Sequence, residues 1–217
     1  MWIEKYKPKS LGEVVGHEGL KSIVGKYIEQ RDIPHFLFFG KPGTGKTLIA
    51  ELVAKELLGG TNDNFIEMNA SDDRTVEKVR KIVLNGIKHS TLNGKLRIIL
   101  LDEADGLLVP AQEILRRPME KSSKTRFIIT ANEVKSIIEA IKSRCMSFEF
   151  KGVNKEDMLR RLRFIRDNEH STISDRELEL IATNCNGDLR QAITELEKAS
   201  MGDDNGAEIV KRYLQRG

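Results

Sequence analysis

Eight consecutive residues, Gly40-Lys41-Pro42-Gly43-Thr44-Gly45-Lys46-Thr47, follow the pattern G-x-x-x-x-G-K-[ST]. That pattern suits a polyphosphate. Glycines let backbone N–H groups curl round a β-phosphate with no Cβ in the way. Gly40, Pro42, Gly43, Thr44 and Gly45 would form this cradle. Lys46 is placed to reach the β- and γ-phosphates, and the Thr47 hydroxyl to ligate Mg²⁺. Further on, the apolar run Ile98–Leu101 ends in Asp102-Glu103-Ala104-Asp105. Adjacent strand residues point opposite ways, so two neighbouring carboxylates can do different work. Asp102 would act in the Mg²⁺ shell, and Glu103 would polarise an attacking water as general base. Together the two segments suit attack of water on a nucleoside triphosphate. The bland alternatives are a glycine-rich turn with a surface lysine and a solvated acidic turn.

The flanking elements decide between these readings. His35-Phe36-Leu37-Phe38-Phe39 is a short apolar run stopping at Gly40, as expected of a strand buried on both faces of a parallel sheet. Leu48–Leu58 reads as a helix ending at Gly59-Gly60. A strand before the loop and a helix after it is the context the phosphate motif requires. The alternation continues. Strands are expected at 65–68, 96–101, 127–130 and 146–150, with helices at 18–30, 72–88 and 110–120, the last opening on Pro110 and kinked by Pro118. Residues 1–16 read as extended. Such alternation implies an α/β layer structure with a parallel sheet.

From Lys151-Gly152 onward the periodicity is helical only. Helices are expected at 156–168, from Ser174, at 188–199 and at 207–215. Ser174-Asp175-Arg176-Glu177 has the form of a capping box. The sequence thus divides into an α/β nucleotide-binding domain over residues 1–151 and a small all-helical lid over 152–217.

Composition bounds the remaining possibilities. Thirty-six basic and 33 acidic residues leave a net charge of +3, so any nucleic-acid surface must be local rather than global. The start is charged and lacks the apolar run of a signal peptide, and no stretch approaches the ~18 apolar residues of a membrane helix. A cytoplasmic protein without membrane partners is expected. Cys145 and Cys185 have no neighbours at metal-ligand spacing and read as packing residues.

With Lys46 followed by Asp102-Glu103-Ala104-Asp105, the chain resembles the AAA+ ATPases: a P-loop parallel sheet flanked by helices, then a helical lid. Further segments resemble the small subunit of replication factor C, the clamp loader of archaea and eukaryotes. They are Trp2-Ile3-Glu4-Lys5-Tyr6-Lys7-Pro8, Asn69-Ala70-Ser71-Asp72-Asp73-Arg74, Leu115-Arg116-Arg117-Pro118-Met119-Glu120, Ser143-Arg144-Cys145 and Gly187-Asp188-Leu189-Arg190.

The resemblance implies an ATP/ADP site with Mg²⁺, and an activity that loads sliding clamps onto primer-template DNA together with a large subunit and other small subunits. Localisation would be cytoplasmic, or nuclear in a eukaryote. It also implies roles for single residues. Asn132 would sense the γ-phosphate, and Arg190 would reach the nucleotide from the lid. Arg144 would serve a neighbouring subunit's ATP. Tyr6, Val15 and Gly16 would lie near the adenine. Thr75, Val76, Arg80, Lys81 and Lys88 would face DNA. By residue type alone, Asn132 is equally a strand-end cap, Arg190 a surface arginine, Arg144 a partner of Glu139 or Glu149, and Arg80 and Lys81 part of a solvated helix face. The mixed charges at 155–167 read as solvated surface. Family members carry a further helical collar, and this chain stops where that collar would begin. The rival readings are another AAA+ machine, such as a branch-migration helicase or a protein remodeller, and a nucleotide-binding assembly module that barely hydrolyses ATP.

Overall fold

The computed structural model describes residues 1–61, 63–70, 75–93 and 95–201, with the side chains of 88–93 left out. Five strands form one sheet: β1 (His35–Gly40), β2 (Phe65–Asn69), β3 (Arg97–Asp102), β4 (Thr125–Ala131) and β5 (Cys145–Phe150). All pairings are parallel, in the order β2-β3-β4-β1-β5. β4 therefore lies between β1 and β3, although it follows both in sequence.

Side chains alternate across this sheet and build a core on each face. Phe36, Phe38, Ile98, Leu100 and Ile128 pack against Leu20 and Val24 of α2 (Glu18–Glu29) and Ile49, Ala50 and Val53 of α3 (Lys46–Leu57). Leu37, Ile99, Leu101, Phe127 and Ile129 face the other way. They meet Val79 and Val83 of α4 (Val76–Asn93), Ala111 of α5 (Val109–Glu113), Met119 of α6 (Arg116–Lys121) and Ile141 of α7 (Glu139–Lys142). A strand covered on both sides must be apolar at every position, which is why the sequence around 36–39 shows no polar alternation.

A third core belongs to the helices after the sheet: α8 (Lys155–Asn168), α9 (Asp175–Asn184) and α10 (Leu189–Met201). Met158, Leu162, Ile165, Leu178, Ile181, Ala192 and Leu196 form it. The expected box at Ser174 is present: its hydroxyl accepts from Glu177 N–H, and the Glu177 carboxylate accepts from Ser174 N–H. Trp2, Ile3, Tyr6 and Val15 pack against this helical core, not against the sheet. The N-terminal segment is thus a strap between two units. It reaches α8–α10 through Trp2 N–H to Glu197 (3.0 Å), and α3 through Leu11 N–H to Glu56 (3.0 Å).

Several expectations need correction. Residues 1–16 are not simply extended, because α1 (Trp2–Lys5) and a short 3-10 turn at Leu11–Glu13 interrupt them. The helix expected at 110–120 is two helices. Pro118 cannot donate to the carbonyl of Ile114, and the helix breaks at Ile114–Leu115, one turn upstream of the proline. The helix expected at 72–88 is α4, and the start expected at Asp72 lies outside the described residues, as does the helix expected at 207–215. Arg161 is not ordinary solvated surface: it donates to the Tyr6 carbonyl at 2.6 Å. Both cysteines are unpaired. Burial pushes the Cys145 thiol up to about 12 and Cys185 up to about 11, which suits packing residues.

His35 sits at the foot of β1. Its Nδ1 accepts from Phe127 N–H (3.1 Å) and its Nε2–H donates to Met119 O (2.9 Å), so the ring is neutral with the proton on Nε2. Burial lowers its pKa below the usual 6.5. The unfolded chain therefore binds more protons below about pH 6.5, and this contribution is complete above that pH and lost as pH falls. Urea unfolding should show stability dropping between pH 7 and pH 5. His35→Asn, losing the Met119 hydrogen bond, should cost about 1 kcal/mol at pH 7 yet show a shallower fall with acid. An equally steep fall in the variant would mean that His35 does not titrate in this window.

Candidate functional site

The loop after β1 turns through Gly40, Gly43 and Gly45, at φ 144, 73 and 92. These are left-handed values that favour glycine. Gly40 has a second reason to lack a side chain, since a Cβ there would run into the carbonyl of Phe150 on the paired strand. The loop is also held by its own side chain, with Thr44 Oγ1 donating to Lys41 O at 2.8 Å. α3 starts directly after Gly45, and no side chain caps its N-terminal amides. They and the helix dipole face the space enclosed by the loop.

Lys46, at 7% exposure, is buried in this loop. Its ammonium donates to Gly40 O (2.7 Å), Lys41 O (2.9 Å) and Asn132 Oδ1 (3.0 Å). All three acceptors are neutral, so the positive charge is solvated but not cancelled. Burial lowers the Lys46 pKa, Asp102, Asp105 and Glu103 raise it, and Arg190 lowers it again. Asn132 follows β4, and the insertion of that strand beside β1 is what delivers its amide to Lys46.

The acidic end of β3 lies one strand further on. Asp102 Oδ1 accepts from Thr47 Oγ1 (2.7 Å) and from Thr130 Oγ1 (2.6 Å). Thr130 Oγ1 in turn accepts from Glu103 N–H (2.9 Å). Glu103 itself has φ 53 and ψ 42 and an exposed side chain. Lys46, Thr47, Asp102, Glu103 and Asn132 are therefore gathered at one edge of the sheet, outside the carboxyl ends of its strands. Thr130 completes the cluster, and nothing in its local sequence marks it. Its only signal is its position near the end of β4, two residues before Asn132.

The helical unit closes over the loop. Asp188 caps α10, its Oδ1 accepting from Gln191 N–H at 2.9 Å, and the same carboxylate lies against Gly43. Arg190 is exposed, one residue into α10, and is close enough to Lys46 to disfavour its charge. A cleft of about 980 Å³ opens between loop, sheet and lid, lined among others by Gly40, Lys41, Asn132, Phe150, Asn186 and Gly187. A smaller one, about 350 Å³, is lined by Gly16, His17, Phe148 and Val153. His17 ties this second cleft to the phosphate loop, since its Nε2 is 3.0 Å from Thr44 O. Val15 packs into the helical core. Tyr6 is bound to the lid through its hydroxyl, which donates to Glu169 at 2.6 Å.

Two groups of expected residues lie elsewhere. Arg144 precedes β5 and so stands at the opposite end of the sheet from the loop, which follows the far end of the paired strand β1. Six strand residues at ~3.3 Å each put about 20 Å between them. Its partner is neither Glu139 nor Glu149. Arg144 Nε and Nη2 both bind Glu120, and Nη1 donates to Ala140 O at 2.6 Å. This guanidinium holds the Glu120 carboxyl below its usual range. On α4, Arg80 and Lys81 are exposed while Val79 and Val83 point into the core. Thr75 precedes the helix and Val76 opens it. The side chain of Lys88 lies outside the described residues.

Known proteins with similar features fall into one pattern. The model of the "ATPase family associated with various cellular activities (AAA)" matches residues 36–153. The replication factor C small subunit of Archaeoglobus fulgidus is 45% identical over 203 residues, covering 92% of this chain and 64% of that protein. Replication factor C small subunit 2 of Pyrobaculum islandicum is 41% identical over 217 residues, covering 98% and 68%. This chain thus spans about two thirds of the length of such relatives. Among solved structures, the Thermotoga maritima RuvB Holliday junction branch migration motor superposes with a TM-score of 0.78 at 19% identity, covering 97% of this chain and 72% of that one. At that identity the likeness is one of fold.

The approach of Asp188 to Gly43 yields a test. Gly43→Ala adds a side chain at φ 73, where it would overlap the Asp188 carboxylate. A loss of about 2 kcal/mol in urea unfolding is expected from backbone strain and the displaced lid. Unchanged stability would mean that the lid does not rest on the loop in solution.

Proposed function

The chain belongs to the AAA family of ATPases and, within it, to the replication factor C small subunits, and from that premise we propose that it is the ATP-driven motor of a clamp loader. ATP binding would favour assembly with a large subunit and other small subunits on sliding clamp and primer-template DNA. Hydrolysis would release them. We assign the α/β nucleotide-binding domain to residues 1–151 and the lid to 152–217. The protein would work in the cytoplasm, or in the nucleus of a eukaryote. Identities of 41–45% to the archaeal subunits, against 19% to the branch-migration motor, favour this reading over another AAA+ machine.

The observation that carries the proposal is the convergence of Lys46, Asn132, Thr47 and Asp102 through hydrogen bonds of 2.7–3.0 Å. Lys46 would bind the β- and γ-phosphates, exchanging one of its loop acceptors for a phosphate oxygen. Asn132, already on Lys46, would take the γ-phosphate or the attacking water. Arg190 would come down from the lid onto the same phosphate, and Tyr6, Val15 and Gly16 would border the adenine. Thr47 and Asp102 fit Mg²⁺, a hard ion that prefers few protein oxygens and keeps much of its water. When bound, Mg²⁺ would neutralise charge between the β- and γ-phosphates. Glu103 would accept the proton of the attacking water, and its exposure leaves it room to do so. Lys46→Ala should weaken ATP binding. Glu103→Gln should bind ATP normally but hydrolyse it about 10²–10⁴-fold more slowly. Equal ATP affinity of Lys46→Ala and the parent chain would defeat the assignment.

Arg144 would act on a neighbouring subunit's ATP. Its distance from its own loop supports this, and Glu120 would hold the guanidinium ready for the neighbour. The expectation is that Arg144→Ala leaves ATP binding by the single chain intact, while DNA-stimulated turnover in an assembly with full-length partner subunits falls by roughly 10³–10⁵. Undiminished stimulated turnover would refute the role. Thr75, Val76, Arg80 and Lys81 would contact DNA phosphates without reading sequence, as lysines, arginines and backbone amides at a helix start do. The exposure of Arg80 and Lys81 supports that surface.

A further inference from the structure

We propose that Thr130 is a positioning residue for hydrolysis, its hydroxyl holding the backbone of Glu103 and the carboxylate of Asp102 in a single arrangement. The proposal rests on the reading of Glu103 as general base. Thr130 is 1% exposed. A buried hydroxyl has one proton and two lone pairs to satisfy, and both its partners here belong to the acidic end of β3. Its proton goes to Asp102 Oδ1 at 2.6 Å, and it accepts from Glu103 N–H at 2.9 Å. A carboxylate only accepts and an amide N–H only donates, so the direction of both bonds is fixed.

The place of these bonds in the sheet explains why they matter. The β3–β4 ladder has its last paired residues at Leu101 and Ile129, whereas β4 continues beside β1 as far as Ala131. Beyond Leu101 the end of β3 turns away into the 3-10 turn Ala104–Gly106. Thr130 adds one more cross-strand bond after the backbone ladder has ended, and it does so with a side chain. The residue held is Glu103, whose φ of 53 is uncommon for a non-glycine residue and costs backbone energy. On the C-terminal side Gly106 N–H binds Glu103 O at 2.8 Å. On the N-terminal side the Thr130 hydroxyl supplies the constraint. The same hydroxyl, with that of Thr47 at 2.7 Å, directs two protons at one oxygen of Asp102 and so fixes the rotation of that carboxylate.

Removing the hydroxyl while keeping the shape should free Glu103 to leave its left-handed conformation, with little effect on the loop that binds phosphates. A reacting group displaced by about 1 Å costs on the order of 10²-fold in rate. The test compares Thr130→Val, Thr130→Ser and Glu103→Gln in the whole chain. Single-turnover hydrolysis is measured with protein in excess over ATP. Affinity is measured separately with a fluorescent ATP analogue, and thermal unfolding is recorded for each. Thr130→Val should slow single-turnover hydrolysis about 10²-fold, with nucleotide affinity within about threefold of the parent. Thr130→Ser, which keeps the hydroxyl and loses a buried methyl, should unfold at a lower temperature yet hydrolyse within about threefold of the parent rate. A purely structural role predicts the reverse, with activity following the unfolding temperature. Full activity in Thr130→Val, or a Thr130→Ser as slow as Thr130→Val, overturns the role of Thr130 alone when Glu103→Gln is inactive. If Glu103→Gln hydrolyses at the parent rate, the assignment of the base falls and this proposal falls with it.

Discussion

Strand β4 enters the sheet between β1 and β3, and the whole site depends on that insertion. The phosphate loop follows β1, Asp102 ends β3, and Glu103 follows it off the strand. In a parallel sheet, neighbouring strands lie about 4.8 Å apart, so strands separated by a third stand roughly 10 Å apart. That gap is too wide for direct hydrogen bonds between their backbones. It is closed from above by Thr47, whose hydroxyl reaches Asp102, and from between by Asn132 and Thr130, which touch the two sides respectively. β4 is thus the spacer that brings Lys46 and Asp102 to one end of the sheet through Asn132 and Thr130 without pairing them as ions. A direct pairing of Lys46 with Asp102 would leave less positive charge for phosphate.

The same edge of the sheet is where the helical unit is anchored. Gly40 packs on Phe150, Gly152 on Gly187, and Gly43 on Asp188, so three glycines of loop and linker allow backbones and a carboxylate to approach closely. The N-terminal strap adds ties to both units, with Lys7 binding Glu51 of α3 and Tyr6 binding Glu169 just after α8. The helical unit is thus held against the loop and against α3 at the same end of the sheet. At the other end of the sheet, Arg144 is held by Glu120, whose short helix α6 exists as a separate element because Pro118 interrupts the one before it. The proline fixes where the segment bends.

Much of this was legible in the residues. The buried strands showed as unbroken apolar runs, because a strand covered on both faces has no polar side. Gly40, Gly43 and Gly45 are glycines because the loop turns through positive φ, and the capping box at Ser174 is a local exchange of hydrogen bonds over three residues. Such features depend on groups close together along the chain, so spacing alone identifies them. The N-terminal sixteen residues were harder. Their short helix gains its stability from packing Trp2 and Ile3 on α8–α10, a contact with no local periodicity to reveal it.

What the sequence by itself determined is the chemistry of each segment: a loop that can wrap phosphate, an apolar strand running into two carboxylates, and a switch from alternating elements to helices alone. The strand stops at Asp102, and the fold carries Glu103 off it. Tertiary structure decided which segments meet. Thr130 reaches Asp102 across 28 positions, Thr47 reaches it across 55, and Lys46 reaches Asn132 across 86. Residue types do not announce such bonds, because a threonine on a strand is as ready to face solvent as to hold an aspartate. Proximity along the chain offers Arg144 only Glu139 or Glu149 as partners, and the fold supplies Glu120 of α6 instead. The reason is physical: a hydrogen bond acts over about 3 Å of space, and only the strand order and the packing of helices on the sheet set which distant residues come within that reach.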